Sequence, residues 1–260
     1  MEAVPEKFKI RTAYNEFHVF RHQGLLELRS GDNSLQSAID PRAPQRLCLR
    51  NLEHLMTVLL FIPEPRNILV LGTAAGSLLH YLRHYLPAAR LTAVDIDTEL
   101  IAQLLQLGVL PPRDDRLDYV TADAADFIAG CEQRFDLVLV DLFNGARSPA
   151  WLLERESSDA LYRLCSERGA VAYNLLLASE HDFARFYREL RQLYRGLTLS
   201  LPVQGFENRI VCAVRERAPE NVDMNARLQQ AVALAERLQL DFPRLLAVAY
   251  NSNPAGVGLL

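Results

Sequence analysis

Apolar residues along the chain form two kinds of run, and the change between them falls near residue 66. Before it, short β-like stretches at 17–20, 25–28 and 34–38 are separated by turn formers at Gly24 and at Gly31-Asp32-Asn33. That texture predicts a small sheet of hairpins. An apolar stretch over 47–61, closed by Pro63 and Pro65, predicts a helix. From Arg66 onward strand and helix patterns alternate. Asn67–Leu71 (NILVL) and 136–140 (DLVLV) are continuous apolar runs, as parallel strands buried on both faces require. Shorter strands fit 91–94, 117–120 and 170–173, and helices fit Ser77–Tyr85, a stretch from Thr98, 124–129 and 181–194. Two last strands, 197–201 and 210–214, flank Gly205 and Asn208, and helices at 222–238 and 245–250 follow.

Strands alternating with helices mean βαβ units with right-handed crossovers. The expected class is therefore α/β: a Rossmann-like, doubly wound, mostly parallel sheet with a closing antiparallel hairpin, preceded by a small N-terminal β-hairpin domain. The expected division is 1–46 for the β domain, 47–216 for the Rossmann-like domain and 217–260 for a C-terminal helical extension.

Composition narrows the class of function. In 260 residues, half are hydrophobic and 23% charged, which supports a sizeable core and excludes bulk disorder. The net charge of −4 is a poor match to a phosphate backbone, so no nucleic-acid partner is expected. No apolar run reaches the ~18–20 residues that span a bilayer, and the N-terminus lacks the apolar segment of a secretory signal. Cys48, Cys131, Cys165 and Cys212 form no CxxC pair and read as reduced thiols. The expectation is a cytoplasmic protein with no membrane partner. His80 and His84 lie four apart on a helix, but no glutamate sits between them in HExxH fashion and no third ligand is evident, so no metal is expected.

Candidate chemistry gathers at strand ends. The first βα junction reads Leu71-Gly72-Thr73-Ala74-Ala75-Gly76-Ser77. Small residues between a buried strand and a helix let a ligand approach backbone N–H groups at the carboxyl edge of the sheet, although Gly72 and Gly76 would equally serve a tight turn. The next strand ends Val94-Asp95-Ile96-Asp97, placing Asp95 where an acid accepts hydrogen bonds from ribose hydroxyls. Asp97 suits a helix cap better. Asp123, in Thr121-Ala122-Asp123-Ala124, either meets an adenine amino group or caps the next helix. Three acids at successive strand ends facing one crevice point to an adenosine pocket. Ala74 occupies the second glycine position of G-x-G-x-x-G, which crowds a pyrophosphate, and there is no P-loop lysine. An adenosine sulfonium, S-adenosylmethionine or its decarboxylated form, suits the pocket better.

The fourth strand of the series ends Val140-Asp141-Leu142-Phe143-Asn144-Gly145. A carboxylate leaving an apolar strand keeps its pKa up and can take a proton or bind an amine; the alternative is an Asx turn. From the N-terminal hairpins to about Val214 the sequence resembles the spermidine synthase (polyamine aminopropyltransferase) family, in particular its divergent spermidine-synthase-like branch. The family's GGGDGG loop corresponds to residues 72–77, its VEID segment to 94–97, its GDA segment to 122–124 and its DSSDP-like segment to 141–145. Val70 stands where ordinary class I methyltransferases carry the acid of V-L-D-x-G, which favours the aminopropyltransferases.

The resemblance implies a cytoplasmic homodimer that moves an aminopropyl group from decarboxylated S-adenosylmethionine to a small amine, with Asp141 catalytic. It implies a cofactor site of Gln36, Gly72, Thr73, Ala75, Gly76, Asp95, Ile96, Asp123 and Ala124. Asn144, Trp151, Tyr173, Gln204 and Glu207 fall on the acceptor side. Ala75 replaces the acid that the family's loop offers the donor's aminopropyl end, and Asn144 replaces the second acid of the DxxD segment. Arg50-Asn51-Leu52 stands where the family has Tyr-His-Glu. A dication that loses paired carboxylates loses charge-assisted hydrogen bonds of roughly 1.5–3 kcal/mol each. Two rivals follow: a methyltransferase using S-adenosylmethionine, and a non-catalytic nucleoside-binding or scaffold protein.

Overall fold

A computed structural model describes residues 7–145, 147–216, 224–253 and 259. Four antiparallel strands come first: β1 (Lys7–Arg11), β2 (Glu16–His22), β3 (Leu25–Ser30) and β4 (Leu35–Ile39), paired in chain order. Their apolar faces, including Ile10, Val19, Leu26, Leu28 and Ile39, pack into the main core rather than a private one. The expected helix over 47–61 is present as α1 (Arg50–Leu55), running directly into a tighter 3₁₀ segment, Met56–Leu60.

The seven-stranded sheet then forms from β5 (Asn67–Leu71), β6 (Arg90–Asp95), β7 (Leu117–Thr121), β8 (Phe135–Val140), β9 (Cys165–Leu175), β10 (Thr198–Pro202) and β11 (Arg209–Val214), in the spatial order β10-β11-β9-β8-β5-β6-β7. β5 lies parallel to both β6 and β8, and β8 parallel to β9, as the two continuous apolar runs require. The closing hairpin is antiparallel, and β11 inserts between β9 and β10 instead of extending the edge. Because β5 has β6 on one side and β8 on the other, the strand order reverses at β5, and a crevice opens beyond the carboxyl ends of β5 and β8.

Helices cover both faces. On one side α1, α2 (Ser77–Tyr85), α3 (Thr98–Gln106), α7 (Met224–Leu238) and α8 (Phe242–Ser252) share a core with the four-stranded sheet. On the other, α4 (Ala124–Gly130), α5 (Arg155–Leu164) and α6 (Glu180–Leu193) bury Ile128, Leu161, Phe186 and Leu190 against Leu69, Val138 and Val171. The sequence pattern had no β1 and no α5. β1 buries Ile10 alone of its five residues, and the buried side of α5 carries Ser157 and Ser158 beside Ala160 and Leu161. The expected helix over 222–238 is observed from Met224; 222 and 223 lie outside the described residues. No helix among the described residues is long and apolar enough to cross a membrane.

Candidate active site

The turn leaving β5 sets the floor of the crevice. Gly72 has φ +90°, and a Cβ there would stand 2.3 Å from the Asp141 carbonyl oxygen, so only glycine lets β5 and β8 end side by side. The same closeness is sealed by a hydrogen bond from the Asp141 N–H to Leu71 O, and the Gly72 N–H ties the turn to β6 through Val94 O, both 2.9 Å. Ala74 and Gly76 also take positive φ (42° and 84°), coiling the loop tightly before α2. Ser77, at the first turn of α2, ties it to the N-terminal sheet through Ser37 Oγ (2.8 Å) and Ala38 O (3.2 Å).

A cavity of about 500 Å³ lies above this loop, a size suited to a nucleoside-scale ligand. It brings together Gln36, Gly72, Asp95, Ile96, Asp123, Ala124, Asp141, Asn144 and Trp151 from the sequence-derived set. Tyr14, Asn15, Phe17 and Leu28 of the N-terminal sheet form part of its lining, as do Leu142, Phe143 and Pro149 beyond β8. Leu142 and Phe143 fall within the 141–145 segment that the sequence singles out; the others carry no site signal, because each is an ordinary hairpin or loop residue until the fold sets it over the crevice.

Asp95 does two jobs. Its Oδ2 accepts from both the Thr73 N–H and the Thr73 hydroxyl at 2.8 Å, and its Oδ1 accepts from the Asp97 N–H at 3.1 Å. Thr73 itself is buried and faces this carboxylate rather than the cavity, so it acts on a ligand only through Asp95. Asp97 caps α3 through the Leu100 N–H at 2.9 Å and receives the Thr12 hydroxyl at 2.6 Å. Asp123 caps α4 through the Ala125 N–H at 2.7 Å while staying exposed at the cavity edge, so the cap and the rim position coincide.

Asp141 sits where β8 ends, partly open to the cavity and otherwise surrounded by protein. Its Oδ1 accepts from Asn174 Nδ2 at 2.8 Å. Burial pushes its carboxyl up to about 6, against the pull of that hydrogen bond. The loop after it is pinned by Asn144 N–H to Arg147 O (2.7 Å) and Ser148 N–H to Leu176 O (3.0 Å).

Besides Thr73, five sequence-derived positions fall outside the cavity lining. Ala75 is buried in the core beneath the loop, because the left-handed turn at Ala74 presents residue 74 to the cavity and directs residue 75 inward. Gly76 also stays out of the lining, facing Leu110 and Pro111. Tyr173 is fully buried on the α6 side of β9, edge-on to Phe186; side chains alternate along a strand, so its neighbour Asn174 reaches Asp141 instead. Gln204 is exposed on the β10–β11 turn, where its carbonyl accepts from Arg50. Glu207 lines a second cavity of about 400 Å³ with Arg147, Phe183 and Arg209. His80 bonds the Val109 carbonyl and His84 lies edge-on to Tyr85, and no cluster among the described residues is suited to hold a metal ion.

Comparison with known proteins adds four findings. Residues 50–186 match the spermine/spermidine synthase domain family. A polyamine aminopropyltransferase of Neisseria meningitidis is 28% identical over 245 residues, spanning 94% of this chain and 92% of the relative. A lysine and N-terminal methyltransferase homolog from Drosophila melanogaster is 36% identical over 161 residues, 58% of this chain but 24% of that protein. In three dimensions, a probable spermidine synthase from Corynebacterium glutamicum covers 98% of each chain with a TM-score of 0.75 at 17% identity, which establishes the shared fold.

Proposed function

The chain belongs to the spermine/spermidine synthase domain family, a family of transferases, and from that premise we propose that it transfers an aminopropyl group from decarboxylated S-adenosylmethionine to a small amine. The observation that carries this reading is Asp141: a carboxyl lifted to about 6, fixed by Asn174, at the floor of a cavity rimmed by Asp95 and Asp123. A group poised near working pH is suited to take a proton.

The donor supplies an electrophilic carbon next to sulfur. Asp95 has three of its acceptor positions used internally, which leaves Oδ1 able to receive a ribose hydroxyl. Asp123 has one oxygen engaged by its cap, leaving the other for an adenine amino group. Gln36, Ile96 and Ala124 complete the nucleoside wall. Asp141 takes a proton from the acceptor ammonium, freeing the nitrogen lone pair. The new C–N bond forms as the C–S bond breaks, its electron pair going to sulfur, and methylthioadenosine leaves. Positioning of the two reactants by the cavity walls then supplies the acceleration of the transfer step.

One observation favours a second reading, methyl transfer from S-adenosylmethionine: the methyltransferase homolog has a higher identity over its shorter match. Mass spectrometry separates the two. The chain is incubated with each donor and a panel of mono-, di- and polyamines. Aminopropylated amine and methylthioadenosine from the decarboxylated donor support the first reading. Methylated product from S-adenosylmethionine would transfer support to the second, and absence of both products overturns the catalytic reading.

A further inference from the structure

We propose that Asn174 is a positioning residue for Asp141 and that Asn208 orients it, so that the β10–β11 hairpin decides which end of an amide faces the carboxylate. The inference deepens the reading of Asp141 as proton acceptor and rests on it for its functional meaning, although not for its test.

Asn174 is fully buried in β9. Its Nδ2 donates to Asp141 Oδ1 at 2.8 Å, and its Oδ1 accepts from Asn208 Nδ2 at 2.9 Å. The ladder brings these groups together. Asn174 pairs with Ile210 across β9 and β11, so residue 208, two positions earlier, belongs to the same side of the sheet and is its diagonal neighbour. A primary amide offers a donor at one end and an acceptor at the other, and rotation by half a turn exchanges them. Asn208 presents its donating nitrogen, which holds the Asn174 oxygen on the hairpin side and the NH₂ on the Asp141 side. A donor aimed at a carboxylate favours its ionised form; an amide oxygen in that place would favour the neutral acid. Asn174 thus keeps Asp141 available to accept a proton.

Asn208 also lines the second cavity, which lies between the start of α6 and the hairpin. A group entering that cavity and competing for the Asn208 amide would be felt at Asp141 through one intervening side chain. The charged and titratable groups around the chain of amides are few. On the Asp141 side they are Asp95 and Asp97 after β6, Asp123 before α4, and Tyr14 of the N-terminal sheet. On the Asn208 side they are Arg147, Glu180, Glu207 and Arg209, of which Arg209 is held by both Glu180 oxygens at 3.1 Å and lies over the Phe183 ring.

The test is a carboxyl ¹³C NMR titration of the full chain, with the Asp141 resonance assigned by its loss in Asp141→Asn. Asn174→Ala should make Asp141 a weaker acid by about tenfold. Asn208→Asp, which presents only acceptors and turns the Asn174 amide around, should do the same. Asn208→Ala should shift the midpoint upward by less, and Asn208→Ser, which keeps a donor, should stay near the parent. Should Asn174→Ala not fold, the Asn208 variants at the hairpin decide the matter. An Asp141 midpoint unmoved in both Asn208→Ala and Asn208→Asp, or lowered in Asn174→Ala, overturns the proposal. No donor or acceptor enters the titration, so failure of the aminopropyl-transfer reading and failure of this one are seen separately.

Discussion

Asp141 ends a strand whose preceding residues Leu137 to Val140 are fully buried, and that setting lifts its carboxyl from 3.8 to about 6. Between these values the folded chain binds more protons than the unfolded one, so stability falls as pH rises through that window. The penalty is absent below 3.8 and fully present above about 6. Asp141→Asn should therefore be more stable than the parent above pH 6, by roughly 1–3 kcal/mol, with the difference vanishing toward pH 4. Denaturant unfolding over a pH series measures it. The same variant should retain nucleoside affinity while turnover falls ~10²–10⁴-fold; unimpaired turnover on a verified acceptor refutes the catalytic role. Asp141 was legible in the sequence because an acid breaking a wholly apolar run stands out. Asn174 carries no pattern of its own in the sequence, since its importance comes from two partners 33 and 34 residues distant. For Tyr173 the strand's alternation decided against the expected placement.

At the scale of elements, the β5–α2 loop shows how far spacing carries. Gly72 and Gly76 look alike in the sequence, and both adopt positive φ, yet they are constrained differently. A Cβ at 72 meets a backbone carbonyl at 2.3 Å, whereas one at 76 meets the end of the Leu110 side chain at 2.6 Å, which can move. Gly72→Ala should cost several kcal/mol or prevent folding, and Gly76→Ala about 1–2 kcal/mol, compared by thermal unfolding. A similar pair tests the loop's chemistry. Ala75 occupies the place of the family's loop acid, but its side chain lies in the core, so Ala75→Asp would bury an unpaired carboxylate and should destabilise strongly without sharpening donor choice. Ala74 lines the cavity with φ +42°, a conformation aspartate tolerates. Ala74→Asp should tighten decarboxylated S-adenosylmethionine and weaken the carboxylated donor, by calorimetry, through attraction and like-charge repulsion respectively. Equal effects on the two donors would sink that account. Periodicity exposed the buried strands because their apolar runs are unbroken; β1 and α5 escaped because their buried faces are narrow or carry serine.

Across the whole molecule, the N-terminal sheet supplies part of the wall of the candidate site, and the bonds that hold it there are specific. The Thr12 hydroxyl donates to Asp97 at 2.6 Å, and the Ala13 N–H donates to Glu99 Oε2 at 3.1 Å, clasping the β1–β2 turn to the start of α3. The residues that follow, Tyr14, Asn15 and Phe17, line the cavity. The separate texture of the first forty residues was readable in the sequence, but their role as a wall was not. Contacts spanning some 85 residues leave no local pattern in a chain. Thr12→Val keeps the side chain's shape while removing its hydroxyl bonds, and Glu99→Ala removes the other clasp without touching the turn's own hydrogen bonds. If the clasp holds the wall over the crevice, each should weaken methylthioadenosine binding by about 1 kcal/mol, near fivefold, the worth of one such bond. Their combination should weaken it further, while the unfolding midpoint moves only slightly, because the apolar contacts of Ile10, Val19 and Leu28 remain. Titration of the three variants against the parent decides it. Unchanged affinity in the doubly substituted chain would mean that the wall is held by the core alone, and the nucleoside site would then belong to the seven-stranded sheet without help from the hairpins.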